Sequence, residues 1–165
     1  MVASLPLYCL KTPPLSFGSA GNTISTQRCA FVAPEAGGMV VDATNTPMIV
    51  RGIATLQRPE LDRRQLGRHF VVQAGGVLLL ENLKLTHGYV KTDGTNEDWG
   101  GSVQIYRFGK ATFFHVSFEH NTIVDLVWPF ANFGGAVGIN HGTAIFVDCD
   151  FFHNSAPKGN DVYSH

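Results

Sequence analysis

The 165-residue chain is poor in charged residues, which make up 15% of it against about 25% in an average soluble domain. Lys and Arg number 12 and Asp and Glu 13, so there is no basic excess of the kind that binds nucleic acid. No run of about 18 apolar residues occurs, and no transmembrane helix is predicted. Three cysteines are too few for a disulfide-based scaffold, and no Cys or His spacing indicates zinc. We therefore expect no nucleic-acid partner and no cofactor.

Apolar residues are plentiful instead, at 44% of the chain with 12 Phe. A chain of this length leaves much of itself at the surface. Scarce charge together with abundant Phe therefore predicts that a partner covers part of that surface. The alternative is that the Phe residues simply fill the interior, and the composition leaves both explanations open.

The first 36 residues differ from the rest of the chain. The apolar run from Val2 to Leu10 has no basic start and is interrupted by Pro6, so it is not typical of a secretory signal. A Gly/Ser/Asn-rich stretch that follows Pro13 and Pro14 is typical of irregular structure. We predict an irregular N-terminal arm or cap over residues 1–36 and a single domain over residues 37–165.

An internal repeat dominates that domain. Gly76, Gly109 and Gly142 lie 33 residues apart. The segments that follow them are "VLLLENLKLTHG", "KATFFHVSFEHN" and "TAIFVDCDFFHN", and they align without gaps. Self-similarity at a fixed period of this length predicts a repeat architecture.

Each repeat contains two alternating apolar pairs separated by two residues. Alternation indicates strands, and the interruption indicates a bend between them. The apolar columns are Leu78/Ala111/Ala144, Leu80/Phe113/Phe146, Leu83/Val116/Cys149 and Leu85/Phe118/Phe151. A third apolar pair follows each Gly-Gly, at Val103 with Ile105 and at Val137 with Ile139.

Strands arranged in this way pair with their equivalents one repeat away, which predicts an all-β parallel solenoid. Asn121 and Asn154 end their repeats at a corner, in the same column as Gly88. We expect a left-handed backbone there and hydrogen bonds between the stacked amides. The segment 113–123 also fits the core of a leucine-rich repeat, although 33 residues exceeds that family's usual period of about 20–29.

The paired motifs resemble a known family. Gly134 and Gly135 begin "GGAV", which is followed by Phe-x-x-Asn ending at Asn154; Gly100 and Gly101 begin a second copy, which ends at Asn121. These motifs resemble the GGA[I/V] and FxxN repeats of the chlamydial polymorphic outer-membrane proteins and their algal and bacterial relatives. The resemblance covers residues 67–163 and implies a right-handed parallel β-helix of about four coils. It also implies a surface or assembly role and carries no catalytic residues.

Two insertions occur at the same place in successive repeats, at residues 90–99 and 124–133. Equivalent positions in neighbouring repeats are adjacent in space, so the two loops should form one ridge. This predicts a binding surface for a protein partner or a glycan, made by four aromatic residues: Trp99, Trp128, Phe130 and Phe133. The alternative is that these side chains pack back onto the repeat domain.

Two weaker hypotheses concern polar columns. His115 and Asp148 share a column and, with Lys84, are candidates for acid/base catalysis in a polysaccharide lyase-like enzyme. The second column is His87, His120 and His153. Stacked side chains point in parallel and do not converge as metal ligands must, so no metal is expected. The sequence thus favours a non-catalytic docking module, with a carbohydrate-active protein as the alternative.

Overall fold

A computed structural model describes residues 22–26, 29–30, 38–44, 46–52, 58–92, 99–125 and 133–165. This part of the chain is all-β. Its strands are β1 (Asn22–Thr26), β2 (Cys29–Ala30), β3 (Met39–Val41), β4 (Met48–Gly52), β5 (Glu60–Asp62), β6 (Phe70–Val72), β7 (Val77–Thr86), β8 (Tyr89–Thr92), β9 (Val103–Ile105), β10 (Lys110–Glu119), β11 (Thr122–Asp125), β12 (Val137–Ile139), β13 (Thr143–Val147), β14 (Asp150–Phe152) and β15 (Val162–Ser164). Within these residues no helix is long and apolar enough to cross a membrane.

The strands form three parallel sheets. The first sheet has the order β1-β4-β7-β10-β13; β5 also pairs with β7, β2 with β5, and β14 with β10. The second sheet has the order β15-β12-β9-β6-β3, and the third consists of β11 and β8. Strands therefore pair with the equivalent strands of neighbouring repeats, because their chain neighbours lie in other sheets or at the far side of a bend.

The register matches the one that the aligned glycines predict. Ala111 pairs with Leu78 on one side and with Ala144 on the other, and Phe113 lies between Leu80 and Phe146. The Gly-Gly segments lead into β9 and β12, where the leucine-rich alternative requires a helix or loop. The prediction of parallel β-structure with this register is confirmed.

The bend between the two apolar pairs is also confirmed. Asn82, His115 and Asp148 occupy this column, and all three have positive φ, between 50° and 54°. A single left-handed residue reverses the inward and outward alternation, so that the side chains after the bend again face the interior. This explains why two residues, instead of one, separate the apolar pairs.

The prediction of a left-handed backbone at Asn121 and Asn154 is wrong by one position. The left-handed residues of that corner are His87, His120 and His153, with φ of 53° or 54°. Asn121 and Asn154 follow them, and their side chains are buried. The corner needs buried amide groups at the Asn column, and the turn itself is made one residue earlier.

The core lies between the sheets. Phe113, Phe118, Leu80 and Leu85 are fully buried, and the Phe rings of successive strands stack on one another. Gly101 and Gly135 allow the neighbouring turns to approach closely, because a Cβ at Gly101 would collide with the carbonyl oxygen of Gly135. The structural role that the sequence assigns to these glycines therefore has a steric basis.

Two strands lie within the segment that we predicted to be an irregular arm. β1 pairs with β4 from Asn22 to Thr26, and β2 pairs with β5. The first sheet thus extends into the first 36 residues. The domain boundary after residue 36 stays a prediction.

Candidate functional site

One edge of the first sheet is open. We call the strands β13 and β14 the terminal edge; both pair with β10 on one side, and no described strand pairs with their other side. The N–H of Thr143 points to β10, where it donates to Gly109 at 3.0 Å. Backbone groups alternate between the two sides of a parallel strand, so the N–H and C=O groups of Ala144 and Phe146 point outward.

Apolar side chains are concentrated at the terminal edge. Phe146 and Phe151 are only partly buried, whereas their equivalents one strand earlier, Phe113 and Phe118, are completely buried. On the outer surface of the same strands the exposed fractions are 53% for Ile145, 37% for Val147 and 51% for Phe152. On β10, Phe114 pairs with Val147, and its side chain is also 37% exposed.

Strand β13 of the terminal edge lacks the features that usually protect an edge strand; the charged residues of this edge, Asp148 and Asp150, lie at the bend and on β14. Natural edges carry Lys, Pro, a bulge or an inward charge that prevents pairing with another chain. The residues from Thr143 to Val147 include no charged residue and no proline. The backbone and side chains of β13 are therefore suited to accept a further strand.

The corner that directly follows the terminal edge is closed by hydrogen bonds. The Nδ2 group of Asn121 donates to Oδ1 of Asn154 at 3.0 Å, and Nδ2 of Asn154 donates to Oδ1 of Asp161 at 3.0 Å. The predicted amide ladder is thus confirmed, and a carboxylate ends it. β15 continues the second sheet beyond β12. Among the described strands, β12 therefore has a partner beyond it in the second sheet, whereas β13 and β14 have none beyond them in the first sheet.

The predicted aromatic ridge is only partly described. Trp99 and Phe133 do come together, with ring centroids 4.4 Å apart, as the equivalence of the two insertions predicts. Both side chains are buried, and the ring of Tyr163 packs against them. Trp128 and Phe130 lie outside the described residues. For Trp99 and Phe133, burial favours the packing alternative, and the binding assignment of the four residues stays a prediction.

The histidine column forms a stack of rings. His87 and His120 have centroids 5.6 Å apart, and His120 and His153 have centroids 5.1 Å apart, with nearly parallel planes in both pairs. His87 Nδ1 also lies 3.1 Å from a carboxylate oxygen of Asp62. Within the described residues no group of three His, Cys, Asp or Glu side chains is arranged to hold a metal ion.

The candidate acid/base residues fall into two separate contacts. His115 Nε2 lies 3.1 Å from Asp148 Oδ2, and both side chains are exposed. Lys84 donates instead to Glu119 at 3.0 Å, and Ser117 donates to the same carboxylate. Burial tends to raise the pKa of Glu119, but the hydrogen bonds from Lys84 and Ser117 outweigh it and lower the pKa. Lys84 therefore does not join His115 and Asp148 in one site.

One buried histidine was not identified from the sequence. His69 is completely buried, its Nε2–H donates to the Leu61 carbonyl at 2.7 Å, and its Nδ1 accepts from the Ser102 hydroxyl at 2.9 Å. Burial lowers the pKa of His69 to about 3, so the ring is neutral at physiological pH. Ser102 lies 33 residues after His69, so the repeat period was the signal that relates them.

No protein-family model matches the chain, and no curated protein or solved structure shows a significant match to it. The site must therefore be interpreted from its own geometry.

Proposed function

We propose that the three parallel sheets belong to a right-handed parallel β-helix of about four coils. The order in which the chain visits the sheets supports this: β9, β10 and β11 lie in the second, first and third sheets. The next strands, β12 and β13, again lie in the second and first sheets. A recurring order of this kind, with parallel pairing between equivalents, is the pattern of a solenoid. The resemblance to the polymorphic outer-membrane protein repeats agrees with it.

The chain acts, in this proposal, as a non-catalytic module that docks onto a larger assembly or cell-surface structure. The observation that carries the proposal is the apolar terminal edge, where two apolar columns that are fully buried in the preceding strands end in the partly exposed rings of Phe146 and Phe151. Exposed apolar patches on otherwise folded domains mark surfaces that a partner covers. The low content of charged residues is consistent with such a covered surface.

Sedimentation of the endogenous protein in a gently prepared extract tests this function. A free chain sediments as expected for 17.9 kDa, whereas a docked chain sediments with an assembly that mass spectrometry can identify. We expect the protein in a fraction much heavier than the free chain. Recovery of the protein only in the free fraction, at physiological salt and without detergent, contradicts the docking function.

A carbohydrate-active function is the second candidate, favoured by one observation. His115 and Asp148 form an exposed hydrogen-bonded pair, and a carboxylate beside an imidazole is an arrangement used in acid/base catalysis. Glycan arrays and polysaccharide lyase assays test this candidate, with His115→Ala as the matched variant. Cleavage or binding that His115→Ala abolishes would establish the carbohydrate-active function, and no glycan response would remove it.

A further inference from the structure

We propose that the terminal edge binds an extended polypeptide strand of a partner protein, added parallel to β13 and β14. In this arrangement the apolar side chains of the strand cover Phe146 and Phe151. The inference rests on the proposed docking function and specifies its contact. It requires a partner segment with little charge and with apolar residues at alternating positions.

The backbone supports parallel addition because the same interface already recurs within the molecule. β4 pairs with β7, β7 with β10, and β10 with β13, always in parallel and with equivalent residues opposite one another. The outward N–H and C=O groups of Ala144 and Phe146 correspond to those by which β10 binds β13. A further strand of the same kind continues an interface that the fold uses at every earlier position.

The side chains specify the chemistry of the added strand. The rings of Phe113 and Phe146 stack at 4.9 Å, and those of Phe118 and Phe151 stack at 5.0 Å. An aromatic or large aliphatic residue in each of these two columns would cover the partly exposed rings of Phe146 and Phe151 in the same way. Because β13 carries no charged residue, a charged partner strand gains no ion pair there and would have to lose its hydration.

A peptide copied from the chain is the most direct probe. Residues 110–121 already pair with this edge from its other side, so a labelled peptide of that sequence has the required pattern. We would measure fluorescence anisotropy of the peptide with the purified full-length chain, together with amide hydrogen exchange of the protein. We expect saturable binding and slower exchange at Ala144 and Phe146. No binding at millimolar peptide, or no change at these two amides, overturns the proposal.

Two methylated peptides form a matched pair. In the expected register the backbone N–H of the Thr112 position points to β13, as that of Thr143 points to β10, whereas the N–H of the Phe113 position points away. We expect N-methylation at Thr112 to weaken binding at least about tenfold, through a lost hydrogen bond and a steric clash. N-methylation at Phe113 should change it less than about threefold. If the two methylations weaken binding equally, or if methylation at Phe113 weakens it more, this parallel register is excluded.

Two variants of the protein test the same contact by changing the backbone of β13 and not that of the peptide. Ala144→Pro removes an outward N–H with which no described strand pairs, whereas Ala144→Ser keeps it. Ala144→Pro should abolish peptide binding and Ala144→Ser should preserve it; equal binding overturns the proposal. If Ala144→Pro does not fold, the methylated peptides decide alone. Concentration-dependent self-association that only Ala144→Pro abolishes would place a second copy of the chain on the terminal edge and overturn the assignment to a different protein.

The two proposals fail in different ways. A heavy native complex that persists with Ala144→Pro overturns the strand-addition contact and leaves the docking function intact. A protein that sediments alone in the extract overturns the docking function itself, whatever the peptide does.

Discussion

The buried histidine predicts a specific dependence of stability on pH. Burial lowers the pKa of His69 to about 3, from an ordinary value near 6.5. Between these two values the unfolded chain binds a proton that the folded chain does not. The free energy of unfolding must therefore decrease as the pH falls from about 6.5 towards 3. The contribution of His69 is fully present above pH 6.5, where the ring is neutral in both states.

The size of the effect follows from the same two values. Each pH unit below the unfolded pKa corresponds to about 1.4 kcal/mol. His69 alone should therefore lower the free energy of unfolding by about 2 kcal/mol between pH 7.5 and pH 5. Glu119, whose pKa is also lowered, adds a decrease in the same direction only near and below its ordinary pKa, close to pH 4.5. The interval from pH 7.5 to 5 therefore separates the effect of His69 from that of Glu119.

Urea denaturation at several pH values measures this effect. His69→Gln should be less stable at pH 7.5, because the contacts with Leu61 and Ser102 are disturbed, but its stability should hardly change down to pH 5. His141→Asn is the matched control, since His141 is exposed and should leave the slope of the wild type unchanged. A wild type whose stability is flat between pH 7.5 and 5, or a His69→Gln variant that keeps the slope, would show that His69 does not cause the pH dependence.

Three further predictions concern packing and are measured by urea denaturation. Asn121→Ala should cost about 2 kcal/mol, because it removes the side-chain oxygen that accepts from the buried Gly88 N–H; a loss below about 1 kcal/mol contradicts a stabilising role of the amide ladder. Gly101→Ala should cost about 3 kcal/mol or more, since its Cβ meets backbone, whereas Gly142→Ala meets the Ile105 side chain and should cost less. Phe113→Ala should cost about 4 kcal/mol, and Phe146→Ala about half of that in the isolated chain, because Phe146 is partly exposed. Equal losses of stability would show that the terminal edge is already covered in the isolated chain.

Much of the fold followed from the repeat period. Aligning the three glycines at 33-residue intervals gave the pairing of Leu78, Ala111 and Ala144 directly, because parallel strands of a repeat protein pair with their own equivalents. The bend at Asn82, His115 and Asp148 followed from the two-residue interruption of the alternation. The strands β1 and β2 were not predicted, because the spacing from β1 to β4 is shorter than the repeat and the apolar pattern there is weak.

The candidate site was less predictable, for physical reasons. Both His and Asn tolerate the left-handed region, so "HN" does not reveal which residue turns the chain; burial of the Asn121 amide in the ladder decides it. Trp99 was expected at the surface because it belongs to an insertion, but Tyr163, from a distant part of the chain, helps to cover it. The exposure of Phe146 depends on which strand is last in the sheet, which the pattern within a repeat does not encode.

In the proposed function, the protein docks onto its assembly through the terminal edge. The most direct test is to replace the endogenous protein with the Ala144→Pro or the Ala144→Ser variant and to compare their sedimentation in a gentle extract. We expect that the serine variant sediments with a heavy assembly and that the folded proline variant sediments as a free chain near 17.9 kDa. Identical sedimentation of the two folded variants would contradict the claim.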